Sequence, residues 1–191
     1  RQQVAALLPQ LSKKYRMAVE ERFNEAYTEG SALSMHVSLP DIEAAKGSIF
    51  LMDGDVLYER SVLSRLVRSQ HPTALLIDRN YSTADDDPVL VPLRGGRPFE
   101  FKKRWKGRAE AVGESVGFFK VSGPAIGQLV KETRRRNQGL GRLDSYDEIL
   151  RVLVKAGRFD AEDVTGYRWT EIDFPGDIQR AEREVLPALL P

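Results

Sequence analysis

The sequence predicts an α/β fold, a three-layer sandwich around a mixed, mainly parallel central sheet, and three observations carry that reading. Residues 48–52 and 73–77 are short, unbroken apolar runs, the pattern of strands buried on both faces in a parallel sheet. Between them Val62, Leu63, Leu66 and Val67 fall on one side of a helix, giving the strand–helix–strand alternation of α/β proteins. Arg94-Gly95-Gly96-Arg97 interrupts residues 89–101 with a hairpin turn, which makes the sheet mixed.

The other elements follow in order. Val4, Leu7, Leu8 and Leu11 share a helix face, and Pro9 within it predicts a kink or an early stop. Residues 17–23 read as a strand, residues 30–37 as a short helix ended by Pro40, and Lys46-Gly47 as a turn. Residues 80–88 are polar and loop-like, with Asp85-Asp86-Asp87 a solvated charge run, and residues 102–108 are basic. Residues 115–121 form a third strand, and Pro124 opens a helix at a favoured first position. Ser145 with Glu148 three residues on is a capping-box pattern ahead of Ile149, Leu150 and Leu153. Residues 169–172 are the last strand, and Pro175 starts a final helix carrying Ile178, Ala181, Val185 and Leu189. No repeat or low-complexity linker divides the chain, so residues 1–191 read as one domain.

Composition narrows the function classes. A net charge of +1 supplies no global field for nucleic acid or an anionic membrane, and the run from Lys102 to Arg108 around Trp105 is too short to make a nucleic-acid site by itself. The absence of cysteine excludes disulfides and thiolate metal sites and fits a cytoplasmic protein. No apolar stretch approaches the roughly 20 residues that span a bilayer. His36 and His71 lack metal-ligand spacing, and Arg134-Arg135-Arg136 suits the negative end of a helix.

Two acidic clusters remain. Asp53-Gly54-Asp55 closes a predicted strand, and open α/β sheets bind ligands beyond the carboxyl ends of their strands. Paired carboxylates there suit a hard cation such as Mg²⁺, although solvated Asp-Gly turns are equally common. In Trp169-Thr170-Glu171-Ile172-Asp173, alternation puts Trp169, Glu171 and Asp173 on one face. Asp173 then sits at a strand end ahead of a helix, where capping that helix is an alternative to binding a metal.

Taken together and in this order, the motifs resemble the nucleotidyltransferase family with a glycosyltransferase-A-like (nucleotide-diphospho-sugar transferase-like) fold, in its cytidylyltransferase branch. Leu51-Met52-Asp53-Gly54-Asp55, Glu114-Ser115-Val116-Gly117-Phe118, Tyr146-Asp147-Glu148 and Trp169-Thr170-Glu171-Ile172-Asp173-Phe174-Pro175 carry the resemblance, which runs from about residue 1 to residue 189. It implies that Asp55 and Asp173 share Mg²⁺, with Asp53 and Glu171 in support. It implies that Gly30 and Ser31 contact the nucleotide base and that Lys103 faces the acceptor phosphate. Glu114, Tyr146, Asp147 and Glu171 are the candidates for binding the acceptor, with a surface carboxylate at Glu114 and helix capping at Asp147 as the alternative. The implied partners are CTP or another NTP and a phosphorylated or phosphonylated small molecule, with a homodimer as a further expectation and neither nucleic acid nor membrane as a direct partner.

The family's opening strand and Gly-rich phosphate loop have no counterpart here. By family length, roughly sixty residues are expected ahead of Arg1, and these 191 residues alone are expected to be inactive. Three rival readings share the acidic motifs: a sugar-1-phosphate nucleotidyltransferase, a glycosyltransferase that uses a nucleotide sugar, and a nucleotide-binding domain without turnover.

Overall fold

A computed structural model describes residues 2–81 and 88–189, and the side chains of residues 2 and 3 are not described. The run Asp85-Asp86-Asp87 lies outside these residues. The elements are α1 (Gln2–Tyr15), α2 (Ser31–Val37), α3 (Leu39–Ala44), β1 (Ile49–Met52), β2 (Val56–Tyr58), α4 (Arg60–Val67), β3 (Ala74–Asp78), β4 (Val89–Arg94), β5 (Arg97–Pro98), β6 (Lys102–Lys103), β7 (Ala111–Val121), α5 (Pro124–Arg136), α6 (Asp147–Lys155), β8 (Asp160–Asp163), β9 (Trp169–Glu171), α7 (Pro175–Arg180) and α8 (Leu186–Leu189). A 3₁₀ turn at Gly139–Leu143 precedes α6, and a π-helical turn at Ala181–Val185 joins α7 to α8.

The α/β sandwich with a mixed sheet is what the chain forms. The main sheet runs β5-β4-β7-β3-β8, with β1 also on β7 and β6 on β4. Alternation along β3 divides the core. Leu75 and Ile77 join Phe119, Leu129, Leu150, Leu153 and Phe159 beneath α2, α3, α5 and α6. Ala74 and Leu76 point the other way, to Val62 and Leu66 of α4 and to Val56 of β2. Helices therefore cover one face, and α4 with a small two-stranded sheet, β2-β9, covers the other.

The mainly parallel sheet is corrected in its ladders. β3 pairs in parallel with β8, whereas β1, β3 and β4 each pair antiparallel with β7. β1, β3, β4 and β8 all run in one direction, and β7 runs against them from the middle of the sheet. Residues 48–52 were expected to be buried on both faces. Instead β1 pairs only with β7 among the described residues, leaving Phe50 and Met52 about 40% exposed.

Other expectations also shift. α1 continues through Pro9 without stopping. Residues 17–23 are not a strand, since among the described residues no strand pairs with them. The capping box is incomplete. Ser145 Oγ accepts from the Asp147 N–H at 3.2 Å, but Glu148 pairs with Arg151 at 3.4 Å. Residues 89–101 do form the hairpin, turning on Gly95 and Gly96, both at positive φ.

Candidate active site

The carboxyl end of β1 and the amino end of β4 meet at one cleft beside residues 114–117 of β7. β1 ends at Met52, and the Asp53 N–H donates to the Gly117 carbonyl of β7 at 3.1 Å. After the turn at Gly54 the chain leaves the main sheet for β2, which pairs antiparallel with β9 through Val56 opposite Glu171. The Ile172 N–H donates to the Asp55 carbonyl at 2.9 Å. Two acidic segments more than a hundred positions apart in the chain are thus tied backbone to backbone.

The cleft has a volume of about 590 Å³, within the range of small-molecule sites. Asp53, Asp55, Glu114, Asp147, Glu171 and Asp173 all line it, with Lys103, Arg104 and Tyr146. Those six carboxyl groups face two cationic side chains, an imbalance that shows in the ionisation of the buried ones. Burial pushes the Asp53 carboxyl up to about 6; the Tyr146 hydroxyl opposes this, and Asp147, Asp55 and Asp173 add to it. Glu171 rises to about 7, first through burial and then through Asp173, Asp53 and Asp55, against a smaller pull from Lys103. Burial also raises Asp147, against the Ser145 hydroxyl and Lys103. The Tyr146 hydroxyl is held far above the ordinary phenol range by burial and the Asp53 carboxylate.

Such a cluster of oxygen donors fits a hard divalent cation, whose charge would relieve the mutual repulsion. Among the described residues, no three His, Cys, Asp or Glu side chains form a ready-made cage. The donor set therefore suits an ion held by one or two carboxylates and completed by substrate oxygens and water, the usual arrangement for Mg²⁺ at phosphate sites.

Gly30 and Ser31 lie away from the lining of this cleft. Gly30 packs on the backbone of residues 142–144, where a side chain would collide with the Arg142 and Asp144 carbonyls. Ser31 Oγ accepts from the Tyr146 N–H at 2.9 Å and lies 3.2 Å from Ser145 Oγ. Both residues thus stand behind Tyr146. Six lining residues, Pro88, Val89, Arg104, Ser115, Gly117 and Phe174, were not singled out as site residues in the sequence. Ser115 and Gly117 belonged to a segment that carried the resemblance, but nothing in the residue string tells that Gly117, at φ 75°, gives Asp53 room. Glu114, Glu171 and Asp173 also border a second cavity of about 340 Å³ beside Trp169 and Arg180. There the Trp169 indole donates to the buried Asp78 carboxylate at 2.8 Å.

The fold is that of nucleotidyltransferases. The chain superposes with a TM-score of 0.62 on the inositol-1-phosphate CTP transferase of T. maritima, at 21% identity over 90% of this chain and 68% of that one. It is similar to the CTP:phosphocholine cytidylyltransferase of Streptococcus pneumoniae (TM-score 0.66, 16% identity, 93% of this chain and 73% of that one). It is also similar to a putative glucose-1-phosphate thymidylyltransferase of Bacillus anthracis (TM-score 0.66, 14% identity, 94% and 69%).

In sequence, the chain is 30% identical over 164 residues to the bifunctional IPC transferase and DIPP synthase of Rubrobacter xylanophilus, a match covering 78% of this chain. It spans about a third of that relative's length, 36%. No protein-family model matches the chain. In fold its likeness is to solved nucleotidyltransferases, and in sequence it is to the bifunctional transferase and synthase.

Proposed function

We propose that the protein is a Mg²⁺-dependent nucleotidyltransferase that transfers CMP from CTP to a phosphorylated or phosphonylated small molecule and releases pyrophosphate. The observation that carries this reading is the convergence of Asp55 and Asp173, from paired backbone segments, on a cleft that also holds Lys103. The names of two structural neighbours, an inositol-1-phosphate CTP transferase and a CTP:phosphocholine cytidylyltransferase, support CTP as the nucleotide and a phosphate-bearing acceptor.

In the reaction, an acceptor phosphate oxygen bonds to the α-phosphorus of CTP as the bond to the β-phosphate oxygen breaks, and pyrophosphate departs with that electron pair. The attacking oxygen is already ionised, so no side chain needs to remove a proton. Catalysis then rests on positioning and charge compensation. Asp55 and Asp173 would hold Mg²⁺, which supplies charge neutralisation at the phosphates. Lys103 faces the anionic acceptor with a mobile point charge. Glu114, Asp147 and Glu171 remain to accept hydrogen bonds from the rest of the acceptor, and Gly30 and Ser31 support the nucleotide side through the segment that they brace.

Among the described residues no helix is long and apolar enough to cross a membrane. We place the reaction in the cytoplasm, with neither nucleic acid nor lipid as a direct partner and a homodimer as the working assembly. The test is pyrophosphate release by the full-length protein, with Mg²⁺, each NTP in turn and a panel of phosphate- and phosphonate-bearing alcohols and sugars. The proposal expects release with CTP that depends on both Mg²⁺ and an acceptor. Glycosyl transfer from a nucleotide sugar with release of nucleoside diphosphate and no pyrophosphate from any NTP, or nucleotide binding with no product, would overturn it.

A further inference from the structure

Tyr146 is held in the cleft through its hydroxyl, its backbone N–H and its ring. Its hydroxyl lies 2.6 and 2.7 Å from the two Asp53 carboxylate oxygens and donates to that group. Its N–H is held by Ser31 Oγ at 2.9 Å, and its ring packs edge-on against Phe119 with centroids 6.4 Å apart. On the far side of Asp53, Gly117 leaves no side chain, and a methyl group there would collide with the carboxylate. Asp53 is therefore clamped between a phenol donor and a bare stretch of β7, with its own N–H on the Gly117 carbonyl.

The segment held this way leads directly into Asp55. A Cβ at Gly54 would meet only open space, so no side chain packs over the turn; its backbone is anchored on one side by Asp53 and on the other by the Ile172 N–H on the Asp55 carbonyl at 2.9 Å. We propose that Tyr146 is a positioning residue. Through Asp53 it fixes the Asp53-Gly54-Asp55 turn, and with it the direction of the Asp55 carboxylate, while Ser31 in turn fixes Tyr146. This rests on the reading of Asp55 as a cation ligand, and it gives Tyr146 and Ser31 tasks other than the direct substrate contacts implied by resemblance. The single phenolic proton is committed to Asp53. Donor groups that orient a metal-binding carboxylate from behind govern metal affinity without touching the ion.

Two measurements on the full-length protein test the proposal without turnover. Mn²⁺ is titrated by electron paramagnetic resonance into the wild type, Asp55→Ala, Tyr146→Phe and Ser31→Ala, and hydrogen exchange of the peptide spanning residues 53–58 is followed without metal. Tyr146→Phe keeps the ring packing and removes only the donor. It is expected to weaken Mn²⁺ about tenfold to a hundredfold. It should also speed exchange in that peptide about tenfold, the fold-change matching one charge-assisted hydrogen bond. Ser31→Ala should shift both in the same direction by less.

Unchanged exchange in Tyr146→Phe would overturn the clamp. Faster exchange with unchanged Mn²⁺ affinity, while Asp55→Ala loses the ion, would reduce Tyr146 to a purely structural role and overturn the positioning claim alone. Equal Mn²⁺ binding by the wild type and Asp55→Ala would instead remove the metal-site reading on which the claim rests, and the exchange data would still decide whether Tyr146 holds the turn.

Discussion

The two sheets of this molecule differ in what they bury. The main sheet packs Leu75, Ile77, Phe119 and Val121 against helices, and its core is apolar on both faces. The small β2-β9 sheet carries Asp55 just before its first strand, Glu171 in its second and Asp173 just after it, all facing the cleft with few opposing cations. Like charges gathered in a partly buried place oppose folding, so the small sheet is sustained by the large one, through Val56 and Trp169 on Leu76 and Phe118. Stability and chemistry are thereby assigned to different layers, and mutations should separate them.

The largest effect belongs to the large sheet. Phe119 is 1% exposed and meets Phe101, Tyr146 and Phe159 edge-on. Phe119→Ala should cost about 3–5 kcal/mol in denaturant unfolding. A cost below about 1 kcal/mol would show that the two layers are not divided in this way.

In the small sheet the order reverses. Asp55→Ala or Asp173→Ala in the full-length protein should lower kcat at least about a hundredfold, the scale set by losing an electrostatic stabiliser of the transition state. Thermal unfolding should stay level or improve, because a repelling charge is gone. Near-normal rates in both variants would rule out the shared ion.

A third test uses an acid outside the cleft. Glu132 is 7% exposed and is held below the usual carboxylate range by the Arg135 guanidinium, at 2.8 and 2.6 Å, and by Arg136, with burial opposing. Its folded value lies below its unfolded one, so its stabilisation is complete above the unfolded value of about 4.3 and fades as pH falls through the lower folded value. Glu132→Gln should cost about 2 kcal/mol at neutral pH and flatten that part of the acid limb. An unaltered acid limb in urea titrations would show that the arginine clamp contributes nothing. The smallest effect is at Lys103, an exposed residue of β6 on the cleft rim. Lys103→Ala should raise the acceptor KM about tenfold, consistent with loss of one charge-assisted contact, and leave KM for CTP nearly unchanged.

The same contrast explains what could be read in the sequence. Strands in the apolar layer announced themselves: residues 73–77 are buried along their whole length, and the turn at Gly95 and Gly96 was visible in the residue string. β8 went unseen because Asp160, Glu162 and Asp163 look like a loop. Their charges are answered only in three dimensions, by Arg97, Arg65 and Arg79. The direction of β7 was equally hidden, since apolar runs do not specify which neighbour they pair with. In the cleft, the acidic motifs could be found from their order along the chain. The clamp on Asp53 could not, because it needs Tyr146, Ser31 and Gly117 to meet through tertiary structure.

The central claim is that Asp55 and Asp173 hold one divalent ion between them. Its most direct test is a crystal structure of the protein with Mn²⁺ and CTP, with the metal located by anomalous scattering. The account predicts one peak within about 2.2 Å of a carboxylate oxygen from each aspartate, the distance expected for a small hard cation. A saturated crystal with its peak elsewhere, or bound to one of the two residues and out of reach of the other, would contradict it.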